Sequence, residues 1–142
     1  MSSLTLEPNT HAQLAQWLDN DDWVIACLCA AWCDTCRGYR GTFDELASRH
    51  PDKRFVWIDI EDQANVVGDI DVENFPTLLI QRGDAVALFG TVLPDAKLVD
   101  RLITAQTEKS DAELRAEANS SAERQGWQRE CNLRVRLNEA LG

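Results

Sequence analysis

The sequence predicts an α/β fold, with a central mixed β-sheet flanked by helices, from three observations. Residues 23–29 (WVIACLC) are continuously apolar over the length of one strand, which is typical of a strand buried on both faces. Strand-like and amphipathic segments alternate along most of the chain, as they do in α/β proteins. Residues 82–84 (RGD) separate two apolar runs, which predicts a terminal hairpin.

Each element follows from a local signal. The other strands are predicted from short apolar runs that end at turn residues or at proline: residues 4–8, 54–60, 77–81 and 85–89. The helices are predicted from capping residues, a first-turn proline and apolar spacing: residues 10–20, 34–49, 62–68 and 94–105. Residues 1–106 are therefore expected to form one α/β domain.

Residues 107–142 are predicted to form a helical C-terminal extension. Ser110 and Glu113 have the spacing of a capping box, and Gly126 is expected to split the segment into two helices or to bend one. Several apolar side chains here need a buried environment: Trp127, Cys131 and those within residues 133–137. They are expected either to pack on their own domain or to pair with another chain.

The charge of the chain limits its partners. The formal net charge is -10, and almost all of it lies in residues 1–106. Because binding to phosphate groups needs clustered Lys and Arg, we expect no nucleic-acid partner and no binding to anionic membranes.

The start of the chain and its apolar runs indicate a compartment. The first ten residues lack the basic and apolar regions of a secretion signal. The longest apolar run is much shorter than the roughly 20 residues of a membrane helix. The expected location is therefore the cytoplasm, where structural disulfides are rare and clustered cysteines are more often catalytic or metal-binding.

Four of the five cysteines fall in residues 27–36 (CLCAAWCDTC). An odd cysteine count argues against a complete disulfide framework. A zinc site normally needs two cysteine pairs or added histidines, and His11 and His50 lie outside the cluster. Cys27 and Cys29 share one face of the predicted strand, so a four-thiolate site stays open on spacing alone. A buried strand is a poor platform for such a site, and no metal is expected.

The spacing of Cys33 and Cys36 favours dithiol chemistry. Cys33 is predicted at a helix N-terminus, where free N–H groups and the helix dipole stabilise a thiolate. Cys36 lies one turn later on the same face, close enough to form a disulfide. Cys33 would attack a target disulfide and Cys36 would resolve the mixed disulfide, with Trp32 as an apolar wall beside them. The only redox group expected is the Cys33–Cys36 disulfide, without a further cofactor.

Several motifs together resemble the thioredoxin family over roughly residues 3–106. They are Trp32-Cys33-x-x-Cys36 after a buried strand, the run FPTLLI at residues 75–80, and the hairpin and last helix that follow. The resemblance implies a thioredoxin fold, with Cys33 as the exposed nucleophile and Cys36 as the more buried resolving thiol.

The same resemblance implies a substrate site and partners. Pro76 is expected to be cis and to pack against the disulfide, and the backbone of Phe75 is expected to pair with the substrate peptide. The expected partners are protein disulfides and an electron donor similar to thioredoxin reductase.

The sequence departs from the family pattern around the active site. The central dipeptide is Asp34-Thr35 in place of Gly-Pro, which alters the redox poise. Cys27 stands where the family usually has a buried Asp, Trp57 where it has a Lys, and Cys29 where it has a Trp. Cys27 and Cys29 are then either small fillers of the strand or, for Cys27, an auxiliary thiol that exchanges disulfides with Cys36.

Two functions follow from these observations. The first is a thiol–disulfide oxidoreductase that acts on protein disulfides through Cys33 and Cys36. The alternative is a binding module with the thioredoxin fold and weak or no redox activity. Its C-terminal helices would dock a partner or form a homodimer through residues 107–142.

Overall fold

A computed structural model describes residues 3–68, 70, 72 and 74–141. Five strands form one mixed sheet: β1 (Leu4–Thr5), β2 (Trp23–Cys29), β3 (Arg54–Asp59), β4 (Thr77–Arg82) and β5 (Ala85–Thr91). Their order is β1-β3-β2-β4-β5, with β1 and β2 parallel to β3, and β4 antiparallel to both β2 and β5. The predicted fold class is confirmed, and β2 is the central strand.

Within the described residues, seven α-helices accompany the sheet: α1 (His11–Asp19), α2 (Asp34–Arg49), α3 (Ala64–Val67), α4 (Ala96–Thr107), α5 (Asp111–Ala118), α6 (Ala122–Glu130) and α7 (Leu133–Leu141). The start of α4 differs from the start predicted at Pro94. The side chain of Asp95 accepts hydrogen bonds from the N–H groups of Lys97 and Leu98, so Asp95 is the N-cap. No helix of the described segments is long and apolar enough to cross a membrane.

The central strand β2 is buried on both faces, which explains its continuous apolar sequence. On one face of β2, the side chains of Val24, Ala26 and Leu28 pack in a core with side chains of α1, α3 and α7. On the other face, the side chains of Ile25, Cys27 and Cys29 pack in a core with side chains of α2 and α4. Two of the clustered cysteines therefore lie beneath α2, which carries the other part of the motif.

The extension contains three helices, and no helix boundary falls at Gly126, so the predicted division at that glycine is wrong. Two capping side chains decide the boundaries instead. The Ser121 hydroxyl accepts from the N–H of Arg124 at 3.1 Å, and Asn132 Oδ1 accepts from the N–H of Arg134 at 3.0 Å. The capping box at Ser110, which begins α5, is confirmed.

The extension packs against its own domain. Cys131, Leu133 and Leu137 are buried in the same core as α1 and α3. The side chain of Gln128 donates to the backbone oxygen of Val86 at 2.9 Å and accepts from the N–H of Val86 at 2.8 Å, which covers the open edge of β5. Of the two environments expected for these apolar groups, the structure shows burial on the chain's own domain.

Both histidines have partners. Nε2 of His11, which is buried, lies 2.6 Å from Oε1 of Gln63. Nε2 of His50 lies 2.5 Å from Oδ1 of Asp100. No group of three or more His, Cys, Asp or Glu in the described part of the chain is arranged to hold a metal ion.

Candidate active site

Cys33 is the N-cap of α2, at the end of the loop that leaves β2. Its backbone is extended (φ -86°, ψ 118°), and its N–H donates to the oxygen of Ala30 at 3.0 Å. Its own carbonyl accepts from the N–H of Arg37 at 3.1 Å, which begins the helical ladder. The thiol is partly exposed. It therefore lies at the positive end of the helix dipole and within reach of another molecule.

Asp34, the residue after the N-cap, is paired with Arg37. The Arg37 guanidinium donates to the Asp34 carboxylate and, from Nη1, to the oxygen of Ala31 at 2.8 Å. Both side chains are largely exposed, so the ion pair adds little to stability. It does place a positive charge beside the acidic group next to Cys33, and this reduces the repulsion that Asp34 would exert on a thiolate.

The disulfide of the structure joins Cys29 and Cys36, not the predicted pair Cys33 and Cys36. Cys29 and Cys36 are each 1% exposed, with their Cα atoms 5.7 Å apart, a separation that a disulfide bridges readily. Cys36 lies on the face of α2 that packs on the sheet, and Cys29 is the last residue of β2 on the face beneath it. Cys33 is a free thiol at the surface.

Cys27 is a free, fully buried thiol two residues before Cys29 on the same face of β2. Its Sγ lies 3.7 Å from Sγ of Cys29. Burial raises the pKa of the Cys27 thiol well above its usual range, although the charge of Arg40 opposes part of this effect. Cys27 is therefore a neutral thiol at ordinary pH, and Cys29 is the strand cysteine that contacts Cys36.

An apolar surface lies beside Cys33. The ring of Trp32 is 63% exposed and packs edge-on against the ring of Phe75, with centroids 5.5 Å apart. The indole N–H of Trp32 donates to the Glu61 carboxylate, which orients the ring. The Phe75–Pro76 peptide bond is cis, and Pro76 is buried at the entry to β4. Residues far apart in sequence thus meet at the mouth of the site.

A surface pocket of about 260 Å³ lies on the Cys36 side of the site. It is lined by backbone and side-chain atoms from the loop, α2 and β3: Ala30, Ala31, Cys36, Arg37, Arg40, Trp57 and Asp59. Trp57 carries the guanidinium of Arg40 over its ring at 5.0 Å. Asp59 and Arg40 bring charged groups into the pocket beside Cys36.

The comparison with protein families decides the family. A sequence model of the thioredoxin family, described as "Thioredoxin", matches residues 5–104. The chain belongs to the thioredoxin family. A putative thioredoxin 2 from Streptomyces coelicolor is 28% identical to this chain over 116 residues, which cover 80% of this chain and 86% of the relative. Membership supports thiol–disulfide oxidoreductase chemistry in general terms.

Solved thioredoxin structures show the same fold. A wild-type thioredoxin h from poplar superposes with a TM-score of 0.67 at 18% identity, over 78% of this chain and all of that one. A chain in the crystal structure of a complex of ferredoxin:thioredoxin reductase and thioredoxin f2 superposes with a TM-score of 0.64 at 17% identity, over 75% of this chain and 96% of that one. At these identities the likeness concerns the fold.

The structure brings the residues predicted for the site into one region, but it adds groups that the sequence did not indicate. The sequence indicates Cys29 as a filler of the strand or as one ligand of the four-thiolate site left open on spacing, although alternation along the strand already places it on the face of Cys27. Glu61, which holds the Trp32 indole, and Asp59, in the pocket, carried no recognisable signal. Asp59 is the last residue of β3 and Glu61 follows it. Only the pairing of β3 with β2 brings these two residues to the end of β2.

Proposed function

We propose that this thioredoxin-family protein is a thiol–disulfide oxidoreductase for protein disulfides, with Cys33 as nucleophile and Cys36 as resolving thiol. The observation that carries the proposal is the position of Cys33, a free and partly exposed thiol at the N-cap of α2. Cys36 lies one turn deeper and is 1% exposed, so Cys33 is the more accessible of the two sulfurs. Trp32 and Phe75 supply an apolar contact surface for the substrate.

The exchange proceeds in two steps. The Cys33 thiolate attacks one sulfur of the substrate disulfide, a mixed disulfide forms, and the other substrate sulfur leaves as a thiolate. The Cys36 thiolate then attacks Sγ of Cys33, which releases the second substrate sulfur and leaves the Cys33–Cys36 disulfide. Because Cys36 must be free to resolve, this cycle begins from the protein with the Cys29–Cys36 disulfide reduced.

Binding of the substrate involves the cis-proline segment. Among the described residues, no backbone–backbone hydrogen bond involves Phe75, and its N–H and C=O are the groups proposed to pair with an extended substrate peptide. Pro76 is held in place from behind, since its carbonyl accepts from the N–H of Val92 at 3.1 Å. A reductase that recognises the thioredoxin fold is the proposed electron donor, in a reducing compartment such as the cytoplasm.

Reduction of insulin in the presence of dithiothreitol tests the proposal. Wild-type protein is expected to accelerate the reaction, and Cys33→Ser protein is expected to give the rate of dithiothreitol alone. Cys131→Ser is the matched control, because Cys131 is buried in the other core, away from α2, and should leave the rate unchanged. A Cys33→Ser rate equal to that of wild type would reject Cys33 as the nucleophile.

The alternative, a redox-inactive binding module, makes the opposite prediction in the same assay: wild type and Cys33→Ser would both match dithiothreitol alone. The apolar groups of residues 107–142 that motivated a docking or homodimer surface are buried on their own domain. A homodimer through this region stays a prediction, and it would have to use the outward faces of α5 to α7.

A further inference from the structure

Cys36 has two cysteines as neighbours, one on each side of the loop that connects β2 to α2. Cys33 precedes it by one helical turn, and Cys29 lies beneath it at the end of β2. The loop of residues 30–32 folds back between them, with the N–H of Cys33 bonded to the oxygen of Ala30. The resolving thiol is thus placed to form a disulfide toward the surface or toward the core.

The core-side partner is well placed for this role. Cys29 and Cys36 are bonded in the structure, with a Cα separation that needs no backbone movement. The spacing of Cys33 and Cys36 within one turn of α2 also permits a disulfide. One sulfur, Sγ of Cys36, is therefore shared between two mutually exclusive bonds.

We propose that Cys29 is a third redox-active thiol of this site, so that the oxidised protein exists as two disulfide isomers, Cys33–Cys36 and Cys29–Cys36. This inference rests on the proposed function only in that substrate turnover forms the first of the two isomers. The second isomer stores the same oxidation in the core and returns Cys33 to the thiol form.

The interconversion is a balanced thiol–disulfide exchange. The Cys29 sulfur attacks Sγ of Cys36, the Cys29–Cys36 bond forms, and the Cys33–Cys36 bond breaks with its electron pair on Cys33. The proton of the Cys29 thiol passes to solvent, and Cys33 leaves as a thiolate at the N-terminus of α2, where the helix dipole stabilises it. No oxidant or reductant is consumed, because one disulfide replaces another.

The two isomers expose different chemistry to a partner. In the Cys33–Cys36 isomer the disulfide is at the surface, and a reductase can attack Cys33. In the Cys29–Cys36 isomer both bonded cysteines are 1% exposed, and the accessible group is the Cys33 thiol. The protein then reacts as a monothiol, which forms a mixed disulfide with a substrate but has no free resolving thiol.

Cys27 provides a matched comparison. It has the same residue type, strand and face as Cys29, and its Sγ is 3.7 Å from Sγ of Cys29. It nevertheless lies two residues earlier along β2, and it is a free thiol, whereas Cys29 is bonded to Cys36. A general effect of removing a buried cysteine should therefore appear in both variants, whereas loss of the core-side isomer should appear only in Cys29→Ser.

Differential alkylation measures the isomers directly. Reduced protein is oxidised with one equivalent of diamide and then unfolded in denaturant at mildly acidic pH, where thiol–disulfide exchange is slow, so that N-ethylmaleimide blocks the buried free thiols as well as the exposed ones. The disulfide is then reduced and labelled with iodoacetamide. Cleavage before aspartate separates a peptide of residues 22–33, with Cys27, Cys29 and Cys33, from one that contains Cys36. Fragment sequencing of the first peptide reports which cysteine was bonded.

In oxidised wild type we expect the iodoacetamide label on Cys36 in every molecule and divided between Cys29 and Cys33. In Cys29→Ser protein, labelling of Cys33 by N-ethylmaleimide should be lost, and Cys27→Ser should retain the wild-type division. In Cys33→Ser protein, Cys29 and Cys36 should both be protected.

An iodoacetamide label confined to Cys33 and Cys36 in oxidised wild type would overturn the proposal. N-ethylmaleimide labelling of Cys33 that stays at the wild-type level in oxidised Cys29→Ser protein would overturn it as well. Insulin reduction by the same protein variants, before alkylation, separates the proposal of two disulfide isomers from the proposed function. A failure of the proposed function abolishes the difference between wild type and Cys33→Ser in that assay, whatever the disulfide map shows.

Discussion

The attachment of the extension depends on a buried polar network at Asn132, and its removal has a calculable cost. Asn132 is 3% exposed, and its Oδ1 accepts from Nε2 of Gln81 at 2.7 Å and from the N–H of Arg134. Asn132 Nδ2 donates to the oxygen of Asp84 at 3.1 Å. One side chain therefore caps α7 and joins it to β4 and to the turn that follows.

The substitution Asn132→Ala removes two contributions. Loss of the N-cap costs about 1 kcal/mol. Gln81 is fully buried and keeps its bond to the oxygen of Gly83 at 2.7 Å, but its second amide hydrogen loses its partner, at a cost of about 1–3 kcal/mol. Together these lower the free energy of unfolding by about 2–4 kcal/mol.

Urea unfolding followed by circular dichroism measures this change. With an m-value of about 2 kcal/mol/M, the midpoint should fall by roughly 1–2 M. Asn119→Ala is the matched control, because the Asn119 side chain is exposed and its hydrogen bond to the oxygen of Arg115 is local. This substitution should change stability by less than about 0.5 kcal/mol. Equal midpoints for Asn132→Ala and Asn119→Ala would refute the assigned role of the network.

Three other predictions follow from burial. In reduced protein, burial raises the pKa of the Cys27 thiol in the folded state. As the pH rises, the Cys27 thiol therefore loses its proton at a lower pH in the unfolded state than in the folded state. Stability should then be complete below about pH 8.5 and fall above it by up to roughly 1.4 kcal/mol per pH unit. Urea titrations of Cys27→Ala should lack this part of the slope, and equal slopes would contradict it. Leu137→Ala, at a fully buried position of α7, should lower the unfolding free energy by about 2–5 kcal/mol, whereas Leu98→Ala, 38% exposed, should cost much less. Trp32→Ala should lower kcat/KM for insulin roughly 5-fold or more, because a contact with the substrate is lost. The free energy of unfolding should change by less than about 1 kcal/mol, because the ring is largely exposed. An unchanged kcat/KM would exclude Trp32 from the substrate surface.

The elements near the site could be predicted because their signals are local. The run at residues 23–29 is apolar throughout, and only a strand covered on both faces accommodates such a run in so few residues. The helix predicted for residues 34–49 is observed as Asp34–Arg49. It begins after the N-cap Cys33 and ends before His50-Pro51.

Local signals failed where side chains from elsewhere decide the outcome. Gly126 weakens a helix by its intrinsic propensity, but α6 continues through it because Gln128 is bonded to Val86 and Trp127 packs on the core. The helix ends instead at Glu130, and the side chain of Asn132, which is bonded to Gln81, caps the start of α7. That contact joins residues 51 positions apart, and no short window of sequence contains it.

The sequence by itself determined the fold class, the thioredoxin-family motif and the placement of Cys33 at the start of a helix, since these depend on apolar periodicity and neighbouring residues. Alternation along β2 also put Cys27 and Cys29 on one face. Only the tertiary structure decided which of the two meets Cys36, because that depends on how far the first turn of α2 overlies the end of the strand. The overlap brings Cys36 to Cys29, so the buried disulfide follows from the packing of a helix on a sheet rather than from the spacing of the motif.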